Sequence, residues 1–272
     1  MLLALNELPG LGPVRVRELL EPFKDPAGVD VESVAAYQRK KKLPVRPPDL
    51  DAAERILDRT ERIRAHLIAF HEPGYPKRLA EIYDAPLVLW YRGDPALLEQ
   101  QGFAVVGTRR PSAYGMRQTR IYSNALARLG LVIVSGMAVG VDAVAHDAAI
   151  RAGGKTMAVL ATGIDRLTPR VNRPLAHRIL DSGGLLLSEM PPGTLGSEHM
   201  FPRRNRIVSG LSHGVLITDS AASGGSMNTA THAAEQNRSI FSIPHPVDSG
   251  FGEGCNRLIR DSKAALTLSV QD

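Results

Sequence analysis

From residue 102 onward, short β-branched apolar runs alternate with stretches whose apolar residues recur at helical spacing. The runs are 103–106, 131–134, 156–160, 184–187, 215–218 and 239–243. A short run with no polar alternation is a strand buried on both faces, and such strands belong to parallel sheets covered by helices. Segments 112–129, 141–152, 174–180, 204–211 and 226–237 carry the helical pattern between them. The alternation predicts an α/β fold over 101–272, a mostly parallel sheet with helices on both faces.

The first 66 residues read differently, as a small all-helical domain. Gly12 and Pro13 mark the start of one helix, since Pro suits the first helical turn. Asp49 is placed to cap a second, in which Ile56, Leu57, Ile63 and Leu67 recur at helical spacing. Residues 67–100 hold Pro73, Pro76, Pro86 and Pro95 and one apolar run at 87–91, which predicts a connector with an edge strand.

Composition narrows the function classes. No apolar run approaches the roughly 20 residues that span a bilayer, and the N-terminus lacks the basic start of a signal peptide. Cys255 is alone, so no internal disulfide or cysteine cluster forms. These features lead us to expect a cytoplasmic protein with no membrane partner. The formal net charge is +5. Residues 1–66 hold 12 Lys/Arg and 11 Asp/Glu, against 21 and 17 in the remainder, so most of the excess lies in the α/β part. A modest basic excess is compatible with a polyanionic partner.

In parallel sheets the ligand sits beyond the C-terminal strand ends. The loops expected there are rich in Gly, hydroxyls and Arg. They include Gly107-Thr108-Arg109-Arg110 ahead of the N-cap candidate Ser112, Ser135-Gly136-Met137-Ala138, and Ala161-Thr162-Gly163. Phe201-Pro202-Arg203-Arg204-Asn205-Arg206 and Ser223-Gly224-Gly225-Ser226-Met227-Asn228-Thr229 complete the set. Glycine lets backbone N–H groups approach an anion, helix N-termini attract it, and Arg supplies a forked cation. Any one such loop is as well explained by a tight turn with a surface Arg; their convergence on one edge favours an anion site.

Other chemistries lack their residues. Gly154-Lys155-Thr156 lacks the first Gly of a phosphate-binding P-loop, and it runs from helix to strand. No Gly-x-Gly-x-x-Gly follows the first strand and no Gly-x-Ser-x-Gly is present. Asp142 and His146, four apart, predict a structural helix pair in preference to a metal site. No cofactor and no metal are expected.

In this order and spacing, the loops resemble the DNA-processing protein A family, also called Smf. The matching stretches are Val106-Gly107-Thr108-Arg109-Arg110, Ser135-Gly136-Met137-Ala138, Gly140-Val141-Asp142 with Ala145-His146, and Gly153-Gly154-Lys155-Thr156. Ser188-Glu189-Met190-Pro191-Pro192-Gly193, the stretches 201–207 and 225–230, and Gly254-Cys255-Asn256-Arg257-Leu258-Ile259 follow, so the likeness covers roughly 70–265. The resemblance implies a Rossmann-like domain that binds single-stranded DNA, protects incoming strands in natural transformation, loads RecA and forms a homodimer. It implies a binding protein and not an enzyme. Its phosphate pocket maps onto Gly107, Arg109, Arg110, Ser135, Gly136, Lys155, Ser226 and Thr229. Arg203, Arg204, Asn205 and Arg206 flank that pocket, and Phe201 is either a base-stacking or a core residue. Val139 stands where relatives usually carry Arg, and 219–224 also departs from the pattern. The winged-helix module that relatives often add at the C-terminus is not expected, since the sequence ends at Asp272.

Two rival readings remain at this point. One is a nucleotide phosphoribohydrolase-like enzyme, whose signature Gly224-Gly225-Ser226-Met227-Asn228-Thr229 faintly resembles; but the acid that chemistry needs soon after Thr229 is delayed to Glu235. The other is a protein-binding adaptor, favoured if Arg203, Arg204 and Arg206 are buried in ion pairs.

Overall fold

A computed structural model describes residues 1–23 and 28–272; residues 24–27 of the expected helical segment lie outside the described residues. Four helices come first: α1 (Leu2–Asn6), α2 (Pro13–Leu20), α3 (Val31–Lys40) and α4 (Leu50–Arg62). Asp30 and Asp49 cap α3 and α4, their carboxylates accepting from Ser33 N and Ala52 N. The chain continues through β1 (His66–Ala69), α5 (Lys77–Ala80), β2 (Val88–Gly93), β3 (Gly102–Val106) and α6 (Ala113–Arg128). Next come β4 (Val132–Ser135), α7 (Val141–Arg151), β5 (Thr156–Leu160), α8 (Arg173–Asp181) and β6 (Leu185–Ser188). The last elements are α9 (Met200–Gly210), β7 (Ser212–Ile217), α10 (Gly225–Glu235), β8 (Ser239–Ser242), α11 (Glu253–Arg260) and β9 (Ala265–Leu266).

The strands form one Rossmann-like sheet in the order β1-β2-β6-β5-β4-β3-β7-β8-β9. Pairs β1–β2 and β2–β6 are antiparallel, and all the others are parallel. Successive strand residues face opposite layers. Ala104 and Val106 pack in one apolar cluster with Ile207, Val208 and Ala230, while Val105 packs with Val141, Ala145 and Leu126 on the other side. The N-terminal helices share a third cluster with the sheet, in which Leu5, Val16 and Val34 meet Trp90, Ala158 and Ile179.

The six expected parallel strands are all present, with bounds within three residues of the pattern. The connector region differs. Leu67 lies in β1 and not in α4, and β1 takes the sheet edge, so the 87–91 run becomes an internal strand between β1 and β6. Leu57 is exposed on α4. A four-residue strand following directly on a helix offers too few positions for its alternation to separate from the helical period.

The cationic cluster 203–206 also changes meaning, because it sits on α9. Successive helical side chains diverge by about 100°, so the four residues face four surroundings. Arg206 turns inward, 3% exposed, and grips Glu189 at 2.5 and 3.1 Å and Asp84 at 2.8 Å. That ion pair ties the end of β6 to α9 and to the segment before β2. Removing one partner of a buried pair strands the other charge. Arg206→Ala is therefore expected to destabilise the fold by roughly 3–5 kcal/mol, read by urea denaturation.

Candidate nucleic-acid interface

The sheet order reverses at β3. The chain leaves β3 toward β4, β5 and β6, then returns to place β7 on its other side. A crevice opens beyond the C-terminal ends of strands at such a point. Here it is a cleft of about 520 Å³ between the β3 and β7 loops.

The β3 loop is held firmly. Thr108 N donates to Asp219 O at 2.8 Å, and Ser112 N and Oγ donate to Asp219 Oδ2 at 2.9 and 2.7 Å. Ser112 Oγ in turn accepts from Gly115 N at 2.9 Å, capping α6 as its position predicts. Buried Asp219 thereby fastens the two rims of the crevice together and leaves the Arg109 side chain at its mouth. Arg109 lies over the ring of Phe201, with 5.1 Å from Cζ to the centroid.

The β4 loop does something the sequence did not suggest. Gly136 N and Ala138 N donate to Asp142 Oδ2 at 3.1 and 3.2 Å. A carboxylate of the protein itself thus occupies the donors expected to meet an anion. Asp142 is buried, and burial raises its carboxyl above the ordinary range against the opposing pull of Arg204. Arg204 enters beneath this loop from α9. Its Nη1 donates to Val159 O at 2.5 Å and to Gly136 O, and its Nε donates to Asn205 Oδ1 at 3.1 Å. Its Nη2 has no protein acceptor among the described residues, and the side chain lines the cleft. Position 136 must be Gly, since a Cβ there would lie 2.5 Å from the Arg204 Cζ.

Opposite Arg204 stands the N-terminus of α10. Its N-cap Gly224 has φ 145°, and no side chain caps it. Gly225, Ser226 and Met227 precede the first intrahelical bond, Asn228 N to Gly224 O, so their N–H groups and the positive end of the helix face the cleft.

Gly107, Arg109, Gly136, Phe201, Arg204, Asn205, Ser226 and Thr229 all line this cleft. The other expected residues do not. Lys155 precedes β5 at the opposite, N-terminal edge of the sheet, and its Nζ donates to Ser182 O at 2.7 Å. Ser135 is fully buried and donates to Val105 O. Arg203 pairs with Glu189 at 3.0 Å, Arg206 is in the buried ion pair described above, and Arg110 is exposed outside the cleft. Thr108, from the expected anion loop, also lines the cleft, and Asp142, Glu198 and Ser220 do so without having been anticipated as site residues. A signal for Asp142 existed, an acid in the first turn of a helix that follows a Gly-rich loop; Glu198, an isolated acid in a loop, had none.

His146 does not pair with Asp142. Its Nδ1 meets Thr156 Oγ1 at 2.6 Å, and that hydroxyl donates to Ile133 O at 2.6 Å, so the imidazole Nδ1 is the donor. No group of three or more acidic, His or Cys side chains suited to a metal occurs among the described residues.

A sequence model of the DNA recombination-mediator protein A family matches residues 66–272. The chain belongs to this family. It is similar to a Synechocystis protein named Smf, 36% identical, with 99% of this chain and 70% of that protein covered. Against the structure of DNA processing protein A from Streptococcus pneumoniae it reaches a TM-score of 0.85 at 32% identity, covering 99% and 94% of the two chains. A structure of DNA processing protein A from Helicobacter pylori, described for its single-stranded DNA binding mode, gives 0.70 at 30% identity, covering 76% and 93%. The chain spans 47% to 70% of the length of the curated relatives it matches.

In this DNA recombination-mediator protein A member, burial pulls the His146 imidazole down to about 3. An unfolded His titrates near 6.5, so between these values the unfolded chain binds the extra proton and stability falls as pH falls. The account predicts about 2 kcal/mol lost between pH 7 and pH 5 through this group, a slope that His146→Gln flattens in urea titrations at the two pH values.

Proposed function

We propose that this chain binds single-stranded DNA by its backbone in the cleft between the β3 and β7 loops. The observation that carries the reading is the pairing of the Arg204 guanidinium with the uncapped N-terminus of α10 across one narrow crevice. Three backbone N–H groups and the Arg204 Nη2 suit a phosphodiester oxygen, while the Thr229 and Ser226 hydroxyls already meet Gly225 O and Ser220 Oγ. Arg109 and Phe201 at the mouth suit the next phosphate and its base. Beyond them the recess shared by Arg109, Phe201 and Arg204 reaches Thr168 and Pro169, in the loop that also carries exposed Arg166 and Arg170. A flexible single strand bends into such a crevice, whereas a stiff duplex stays outside it.

Family membership and the H. pylori relative's single-stranded DNA binding support this reading. We extend it, on the family resemblance, to protection of incoming strands during transformation, loading of RecA and homodimerisation. No helix among the described residues is long and apolar enough to cross a bilayer.

The rival readings receive less support. Glu235 is exposed, pairs with His232 and is not among the cleft residues, so no acid stands where phosphoribohydrolase chemistry needs one. The adaptor reading gains Arg203 and Arg206, which are in ion pairs, but not Arg204, which has no carboxylate within ion-pair distance among the described residues.

The test is fluorescence anisotropy with dT oligomers and duplex at two salt concentrations. The slope of log affinity against log salt is expected to be about −0.7 per phosphate contacted. Arg109→Ala and Arg170→Ala are each expected to weaken binding about tenfold and to flatten that slope by about 0.7. Lys155→Ala is expected to leave affinity unchanged. Equal affinity for duplex and dT, or an effect of Lys155→Ala as large as that of Arg109→Ala, would falsify the assignment.

A further inference from the structure

Two loops face each other beside the Arg109–Phe201 contact. The loop after β5 brings Thr168 and Pro169 into the recess that Arg109, Phe201 and Arg204 line. The loop after β6 runs through Gly193 and Glu198 into Phe201, and the last two line the cleft. They touch directly through Gly163 N, which donates to Thr194 O at 3.0 Å.

One carboxylate joins both loops to the N-terminal helices. Asp165 Oδ1 accepts from Gly193 N at 2.6 Å, and its Oδ2 accepts from Arg59 Nη2 at 2.8 Å. Arg59 belongs to α4, more than a hundred residues away in sequence. Its guanidinium lies so close to Gly193 that a Cβ at that position would fall 2.6 Å from Arg59 Cζ, and Gly193 has φ +93° besides. Burial raises the Asp165 carboxyl, but the bonds from Arg59 and Gly193 outweigh it and hold the group below the ordinary carboxylate range. Arg166 Nε, from the same loop as Asp165, also lies 3.8 Å from Asp165 Oδ2, but the closer cation, Arg59, comes from the helical segment whose own charge is near balance.

We propose that Arg59 is a positioning residue: through Asp165 it braces the N-terminal helices against both loops and sets the width of the cleft mouth. The inference rests on the reading of the cleft as the single-stranded DNA site. It also gives the helical segment a role that needs no DNA contact of its own.

Charge and bracing predict opposite signs for one variant. Asp165 is an anion beside an anion site, so charge alone makes Asp165→Asn bind DNA more tightly, whereas a lost brace makes it bind less tightly. The experiment measures dT affinity of the full chain for wild type, Arg59→Ala, Asp165→Asn and the double variant. Each single variant is expected to lose about three- to tenfold, and the double variant no more than either, as for residues acting through one link. Melting temperatures are expected to stay within about 4 °C of wild type, because a half-exposed ion pair contributes little to global stability. Hydrogen exchange without DNA provides a second reading: Arg59→Ala is expected to speed exchange across 191–199. Tighter binding by Asp165→Asn, losses that add in the double variant, or unchanged exchange in that loop each overturns the brace. Failure of the wild type to bind dT instead sinks the cleft reading, while the exchange measurement still decides the brace.

Discussion

Arg204 lies beneath the β4 loop with its guanidinium against two backbone carbonyls, those of Val159 and Gly136, in a place where only glycine fits at position 136. Burying a cation carries a large desolvation cost unless acceptors surround it. The two carbonyls, the Asn205 side chain and the nearby charge of Asp142 supply that surrounding. Asp142 in turn requires donors, and it finds them in the N–H groups of Gly136 and Ala138. One buried cation thus fixes the shape of the β4 loop, the start of α7 and the floor of the cleft. What remains unsatisfied on it borders the cleft. The carboxylate in the wall is compatible with the proposed anion site, because Asp142 Oδ2 is already engaged by the N–H groups of Gly136 and Ala138.

Much of the fold was legible because each central strand is continuously apolar and each crossover helix has its own period. Ser112 as a cap, and Gly107, Arg109 and Gly225 at strand ends, could be placed from the principle that ligands meet parallel sheets at the C-terminal edge. Lys155 illustrates where that reasoning ends. It sits one residue before a strand, which puts it on the wrong edge, and only the strand's direction in the sheet makes this visible. The Arg203 to Arg206 cluster fails for another reason. Taken as one loop, four polar residues point together; wound into α9, Arg204 and Asn205 line the cleft, Arg206 grips buried Glu189, and Arg203 meets the same acid from the surface. Asp142 and His146 form no pair despite their helical spacing, because each found a stronger partner on a neighbouring element.

The charge distribution follows the same division of labour. The N-terminal helices carry nearly balanced charge and attach to the sheet through an apolar cluster and the Arg59–Asp165 link. The exposed arginines 166, 170 and 173 gather on the C-terminal edge of the sheet, next to the cleft. A weak overall excess of +5 is therefore compatible with a local group of exposed cations at that edge.

The most direct measurement is photocrosslinking of the full chain to a dT oligomer carrying 5-iododeoxyuridine, which couples to aromatic side chains in contact with the base, followed by peptide mass spectrometry. Phe201, at the mouth of the cleft beneath Arg109, is predicted to carry the crosslink. A crosslink concentrated instead on Tyr83, which is 79% exposed in the groove beside α2, would contradict the placement of the strand.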